Sequence, residues 1–351
     1  MGLYAYGNTF KCNAKTNEDA YFVNKIGKFV VLIVADGTGG VNGGINPGAL
    51  AVSTMVDYLN KYIKDNTTIQ DLLEIMDAAF YTSSRCFLSI NSIDEQYTNV
   101  YASMLVTIID ELSMQMIYAS VGNCELHLLR KSNLSRLNNV HTEAFELLKK
   151  EVITENELYS HPKRCVLTSA LGVFNNPIFD INITQLFQGD ILLLSTDGLF
   201  KVTAPMGILE VLSEYEDDIN KGVDAVLKKA NEYDSPDNCT LICGFVQNDN
   251  SMHVMDKSNI NQNPNTYLNE PSFPNNNQQS LTNNQNIYNP YINSSNHSSN
   301  HSSNYSSNIP YNNSYNNPYN NSYNQLYDTK DNQNQQNSDN YYNPYGNFNN
   351  R

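Results

Sequence analysis

Carboxylates stand at the end of a strand or turn in four places: Glu18 and Asp19 in "NEDAYF", Asp36 in "VADGTGG", Asp197 in "LLLSTDGLF" and Asp237 in "DSPDNCTLI". Asp36 and Asp197 share one pattern, a run of branched apolar residues followed by Asp-Gly. A buried strand fixes the direction of its last residue, so it aims the acid outward, and the glycine keeps the space beside the acid open. Hard divalent cations take oxygen ligands of this kind from separate elements, with waters completing the shell. The bland alternative is a set of turns, because Asp-Gly after a strand also suits turn dihedrals. Several such acids on one acidic domain favour a shared cation site, but spacing alone leaves both readings standing.

The elements that must position these acids can be read from periodicity. "KFVVLIVADG", "SMLVTIIDE", "MQMIYASVG", "ELHLLR", "DILLLSTDG" and "CTLICGFV" are short, β-branched runs bounded by Gly, Asn or Asp, and are predicted strands. "NPGALAVSTMVDYLNKYIKD" opens on Asn46-Pro47, which suits a helix start. "TIQDLLEIMDAAFYTSSRCFLSI", "MGILEVLSEYEDD" and "NKGVDAVLKKANEY" are predicted helices too. The stretch from Ile108 to Arg130 reads as one antiparallel meander. Strands cluster in the middle and two helices stand near each end, without strict β-α-β alternation. This order predicts a layered α+β domain, with two sheets face to face and helices outside.

Composition divides the 351 residues in two. Residues 1–247 read as globular. Residues 248–351 are rich in Asn, Ser and Tyr, and "PYNNSYN" occurs at Pro310–Asn316 and again at Pro318–Asn324. With so little Leu, Ile or Val this segment cannot offset its ordering entropy, so it is expected to be a disordered tail with weak self-association or other protein contacts. It holds a net charge of -3 of the total -15, leaving -12 on the globular part. Such a surface argues against nucleic acid and anionic membranes as main partners. The six cysteines form no CxxC pair and no disulfide framework, and are expected to be small core residues. No leader pattern is evident, and no apolar run approaches the ~20 residues of a membrane helix. A cytoplasmic, reducing location is expected.

In order along the chain stand "NEDAYF", "VADGTGG", "YASMLV", "SVGNCELHLL", "LTSALG", "GDILLLSTDGLF" and "SPDNCTLI". Together they resemble the metal-dependent protein phosphatase family of type 2C (PPM, PP2C). The similarity spans nearly all of residues 1–247 and none of the tail. It implies a four-layer α-β-β-α sandwich of two antiparallel sheets flanked by helices, with two Mn²⁺ or Mg²⁺ ions at one edge. By the resemblance Asp36 bridges both ions and the carbonyl of Gly37 binds one. Asp197 and Asp237 complete the second, and Glu18 and Asp19 hold metal-bound waters. The implied reaction is hydrolysis of phosphoserine and phosphothreonine in proteins by a water activated between the ions. A cognate serine/threonine kinase would be a natural partner.

The sequence departs from the family pattern at three positions. Where the family carries an Arg that grips phosphate stands Ala14. Lys15 follows it, and in an extended strand neighbours face opposite ways, so Lys15 is expected to substitute only in part. Asn123 replaces an Asp that helps hold a third metal, and an amide is a poorer ligand for a hard cation. Thr38 stands where animal-type members carry a His proposed as general acid. His161 is expected at the surface. These losses keep a rival reading open, a pseudophosphatase or phosphoprotein-binding regulator with weak or no turnover, opposed by the survival of Asp36, Asp197 and Asp237.

Overall fold

Strand β3 (Phe29–Thr38) shows why its apolar run is unbroken. Val31, Ile33 and Ala35 enter one core, while Val30, Leu32 and Val34 enter another. A strand buried on both faces has no polar side to display. The computed structural model describes residues 1–247 except 41–43, 94–98, 174–176 and 216–217. The segment 248–351, expected to be a disordered tail, lies outside the described residues.

The first sheet has the order β2 (Ala20–Ile26), β3, β4 (Tyr101–Asp110), β5 (Gln115–Val121), β8 (Asp180–Gln185), and all its pairings are antiparallel. The second has the order β1 (Gly2–Phe10), β10 (Cys239–Gln247), β9 (Ile191–Ser195), β6 (Glu125–Arg130), β7 (Asn133–Arg136), again antiparallel throughout. Between the sheets lies a core that includes Leu32, Leu105, Leu126, Leu194 and Ile242.

Helix α1 (Pro47–Tyr62) starts at Asn46, whose side-chain oxygen accepts the Ala49 amide at 2.9 Å, with Pro47 in its first turn. Helix α2 (Ile69–Asn91) starts with a reciprocal Thr68–Asp71 capping box. Both bury one face on the outside of the first sheet, through Met55, Leu59, Leu72, Met76 and Phe80. Two short helices follow in the middle of the chain, α3 (Glu143–Lys149) and α4 (Glu155–Leu158), around the small core of Phe145 and Leu158. Helices α5 (Pro205–Ser213) and α6 (Ile219–Glu232) cover the second sheet through Ile208, Val211, Val223 and Leu227. The four layers are those the sequence resemblance implies. Among the described residues no helix is long and apolar enough to cross a membrane.

The meander expected from Ile108 to Arg130 is corrected. β4 and β5 do pair, but the chain then turns at Gly122, with φ of 87°, and β6 joins the other sheet beside β9 and β7. This hand-over keeps Cys124, Leu126 and Leu128 pointed into the core the two sheets share. Strands β1, β2, β7 and β8 were not predicted. β8, "DINITQ", lies at a sheet edge and carries mostly polar residues, so no apolar run announces it.

Candidate functional site

The two Asp-Gly strand ends come from different sheets and meet at one edge of the sandwich. Asp36, near the end of β3, lies opposite Ser103 of β4, and Asp197 follows β9 by two residues. Asp237 precedes β10, the neighbour of β9. The link from β1 to β2 brings in Lys15, Glu18 and Asp19. A cleft of about 380 Å³ opens there, lined by Ala14, Lys15, Glu18, Asp36, Gly37, Thr38, Asn123, Asp197, Lys201 and Asp237 among others. All the acids singled out by sequence except Asp19 line it, and Asp19 lies just behind.

The glycines work differently from the sequence expectation. They do not keep space open but let backbones close in. A Cβ on Gly37 would lie 2.5 Å from the Gly48 amide and 2.6 Å from the Glu18 carbonyl. One on Gly198 would fall on the Asn238 carbonyl. Each Asp-Gly is thus the point where a strand end docks on a neighbouring segment, and the docking sets where the acid sits.

Asp19 is buried, and its Oδ2 accepts the hydroxyls of Thr196 at 2.8 Å and Thr240 at 2.7 Å. Burial pushes its carboxyl up to about 7; the two threonines oppose this, and the Asp237 and Asp197 charges add to it. Asp36 is pushed well above the usual carboxylate range, first by removal from water and then by Asp19, Asp197 and Asp237. Among the described residues no donor hydrogen-bonds its carboxylate. Asp197 is better held: Oδ2 accepts the Asn123 amide at 2.8 Å and Oδ1 the Lys201 ammonium at 3.0 Å. Lys201 also contacts Asp237 Oδ2, and the Asn238 amide donates to Asp237 Oδ1 at 2.9 Å. Glu18 Oε1 accepts the Gly40 amide at 2.8 Å.

Several expectations about single residues change. Ala14 and Lys15 lie in the turn-rich link after β1, not in a strand, so the facing-opposite-ways argument does not apply, and both line the cleft. The single amide oxygen of Asn123 already accepts the Ser103 hydroxyl at 2.7 Å, while its NH₂ faces Asp197. Cys165 is exposed and lines the cleft, unlike the buried Cys124, Cys239 and Cys243. Thr38 lines the cleft, whereas His161 is not among the lining residues.

Sequence reasoning missed Lys201, Ser103 and the work of Asn238. The Asn238 side chain accepts the Glu18 amide at 2.9 Å and donates to the carbonyls of Lys11 and Thr16 at 3.0 and 2.9 Å. It thereby ties the Lys15–Asp19 segment to the start of β10. Lys201 has a signal in "DGLFK", a cation four residues after an acid.

Would these residues suit divalent ions? The ligand atoms are all oxygens, their negative charge is in excess, and among the described residues no donor hydrogen-bonds the Asp36 carboxylate; each is what a hard cation needs. Among the described residues no three His, Cys, Asp or Glu side chains close on one point. Asp197 and Asp237 are instead turned onto Lys201.

Comparison with known proteins agrees with the fold. The family described as Stage II sporulation protein E (SpoIIE) matches residues 27–244. The serine/threonine phosphatase stp of Listeria monocytogenes serotype 4b (strain F2365) is 30% identical over 234 residues, covering 64% of this chain and 88% of that protein. Protein phosphatase PhpP of Streptococcus pneumoniae serotype 2 is 26% identical over 236 residues, covering 65% and 91%. Among solved structures, the S. agalactiae serine/threonine phosphatase superposes with a TM-score of 0.62 at 24% identity, over 70% of this chain and all of that one. The catalytic domain of the serine/threonine protein phosphatase PstP in complex with 2 manganese ions gives 0.58 at 20% identity, over 70% and 99%.

Proposed function

The chain belongs to the PPM/PP2C-type serine/threonine phosphatase family, and from that premise we propose that it hydrolyses phosphoserine and phosphothreonine in proteins with the help of two Mn²⁺ or Mg²⁺ ions. The observation that carries the reading is the gathering of Asp36, Asp197 and Asp237, from two sheets and three distant segments, around one cleft beside Glu18 and Asp19.

Asp36, the Gly37 carbonyl, Asp197 and Asp237 would hold the ions, with Glu18 and Asp19 orienting their waters. When bound, such ions lower the pKa of a water and neutralise phosphoryl charge. The chain's own residues prepare that step. Thr196 and Thr240 fix the Asp19 carboxylate in one rotamer. Asn123 does the same for Asp197, and it is itself fixed by Ser103. Lys15, exposed at the rim, supplies a positive charge to an incoming phosphoprotein. With Thr38 in place of an imidazole, no side chain at that position can act as general acid near neutral pH. A phosphorylated protein of the cytoplasm, or its kinase, is the partner class this reading implies.

One observation favours the rival reading of a regulator with weak turnover, namely Lys201 seated between two of the three acids. Hydrolysis of p-nitrophenyl phosphate and of a phosphothreonine peptide by the full chain separates the two. Activity with Mn²⁺ or Mg²⁺ that disappears in EDTA and in Asp197→Ala supports the hydrolase. No turnover with either metal, in protein that folds, leaves only the regulator.

A further inference from the structure

Asp197 has both of its oxygens occupied by the chain itself: Oδ2 by the Asn123 amide at 2.8 Å, and Oδ1 by the Lys201 ammonium at 3.0 Å. The same ammonium contacts Asp237. We propose that Lys201 is a tethered counter-cation of the acid cluster, competing with divalent ions for Asp197 and Asp237 and holding the two acids in place when no ion is bound. The inference rests on the reading that this cluster takes up Mn²⁺ or Mg²⁺.

The geometry argues against an incidental surface pair. Lys201 ends the short 3-10 turn Leu199–Lys201 that follows Asp197-Gly198, and both Leu199 and Phe200 are buried in the core under α5 and α6. The turn is pinned further: the Arg164 guanidinium donates to the Phe200 carbonyl at 3.1 Å, and the Thr203 amide to the Leu199 carbonyl at 3.0 Å. The lysine stem therefore has one way to go, and its side chain keeps only 15% of its surface in water. Ordering a long cationic side chain costs rotamer entropy, and exposed pairs scarcely offset it. Here two carboxylates share one ammonium in a partly buried place, where Coulomb attraction is less screened.

The neighbouring amide completes the arrangement. Asn123 gives its oxygen to Ser103 and turns its NH₂ to Asp197, so it offers a donor where a metal site would need an acceptor. At the Asn123–Asp197–Lys201 corner, positive charge comes from inside the chain. An outside cation has room on the Asp36 side, where among the described residues no donor hydrogen-bonds the carboxylate.

The test is Mn²⁺ titration calorimetry and thermal melting of the full chain, as wild type, Lys201→Met, Lys201→Gln and Lys201→Arg. Removing the charge is expected to tighten Mn²⁺ binding roughly tenfold or more, or to add an ion to the stoichiometry. The Met and Gln variants should melt below wild type in EDTA, with the deficit closed by Mn²⁺, while Lys201→Arg keeps wild-type affinity. Equal Mn²⁺ affinity in wild type and both neutral variants, with the same loss of melting temperature with and without metal, makes Lys201 a packing residue and overturns the inference alone. Absence of Mn²⁺ uptake in every protein overturns it together with the reading it rests on.

Discussion

Asn123 and Asp197 form a wall shared by two groups of charged side chains. On the cleft side stand Asp19, Asp36, Asp197 and Asp237 with Lys201 as the cation among them. On the other side, against a cavity of about 30 Å³, Glu125 is buried; Tyr159 donates to it at 3.0 Å, while His127 Nε2 lies 3.4 Å and the Arg136 guanidinium 3.7 Å from the same carboxylate. The inner group is answered from within: burial raises the Glu125 pKa, Arg136 and Tyr159 oppose that, and His127 stays neutral. The cleft group is answered only in part: Lys201 meets Asp197 and Asp237. Burial and then the Asp19, Asp197 and Asp237 charges push Asp36 well above the usual carboxylate range, and among the described residues no donor hydrogen-bonds its carboxylate. Balanced buried charge is structural, whereas surplus charge of one sign at an opening calls for something from solution.

The comparison can be broken from either side. Asp36→Asn should reduce Mn²⁺-dependent hydrolysis of a phosphothreonine peptide by roughly a thousandfold or more, because the proposed function makes Asp36 a ligand of both ions. In EDTA the same variant should melt no lower than wild type, since it removes a repelled acid; a clear drop would mean that Asp36 is structural. Glu125→Leu should do the reverse. It removes the carboxylate that Arg136 and Tyr159 face and should cost about 3 kcal/mol in urea unfolding, with the response of activity to Mn²⁺ unchanged.

Protonation distinguishes the two groups further. Burial, then the Arg136 charge, lowers the His127 pKa to about 3, against 6.5 for the free side chain. The folded state therefore holds His127 neutral while the unfolded chain binds a proton. Its contribution is full above pH 6.5 and is lost as pH falls toward 3, amounting to about 1 kcal/mol between pH 7 and 5.5. Urea midpoints for wild type and His127→Gln over that range should differ in slope; parallel curves would place the imidazole in water. The smallest effect is expected at the rim, where Lys15→Ala should raise KM for a phosphopeptide roughly threefold with kcat nearly unchanged, as suits an exposed charge.

Much of this was legible in the sequence. Long apolar runs marked β3, β4, β5, β9 and β10, and Asp-Gly at two of their ends marked the acids. The edge strands were not legible, because half-buried polar segments such as β8 carry no periodic signal. The change of sheet after β5 was hidden as well, since a meander and a cross-over read alike until Gly122 is seen in its left-handed conformation. Lys15 was misplaced because a strand was assumed where the chain turns. Lys201 escaped notice because its partners are fixed by a turn and by a residue 36 positions away.

The pairing of β1 with β10 bears on how the molecule comes into being. Gly2 lies beside Gln247 and Phe10 beside Cys239, so among the described strands β1 must wait for β10, made long after it, before it has a strand partner. Until then β9 presents a bare edge and Asp237 has not reached the cleft, which leaves the half-made chain open to sticking and to proteases. Nascent chains stalled before residue 239 should be digested readily, and those stalled well beyond 247 should resist. Among the described residues the cleft is thus the last part to be finished.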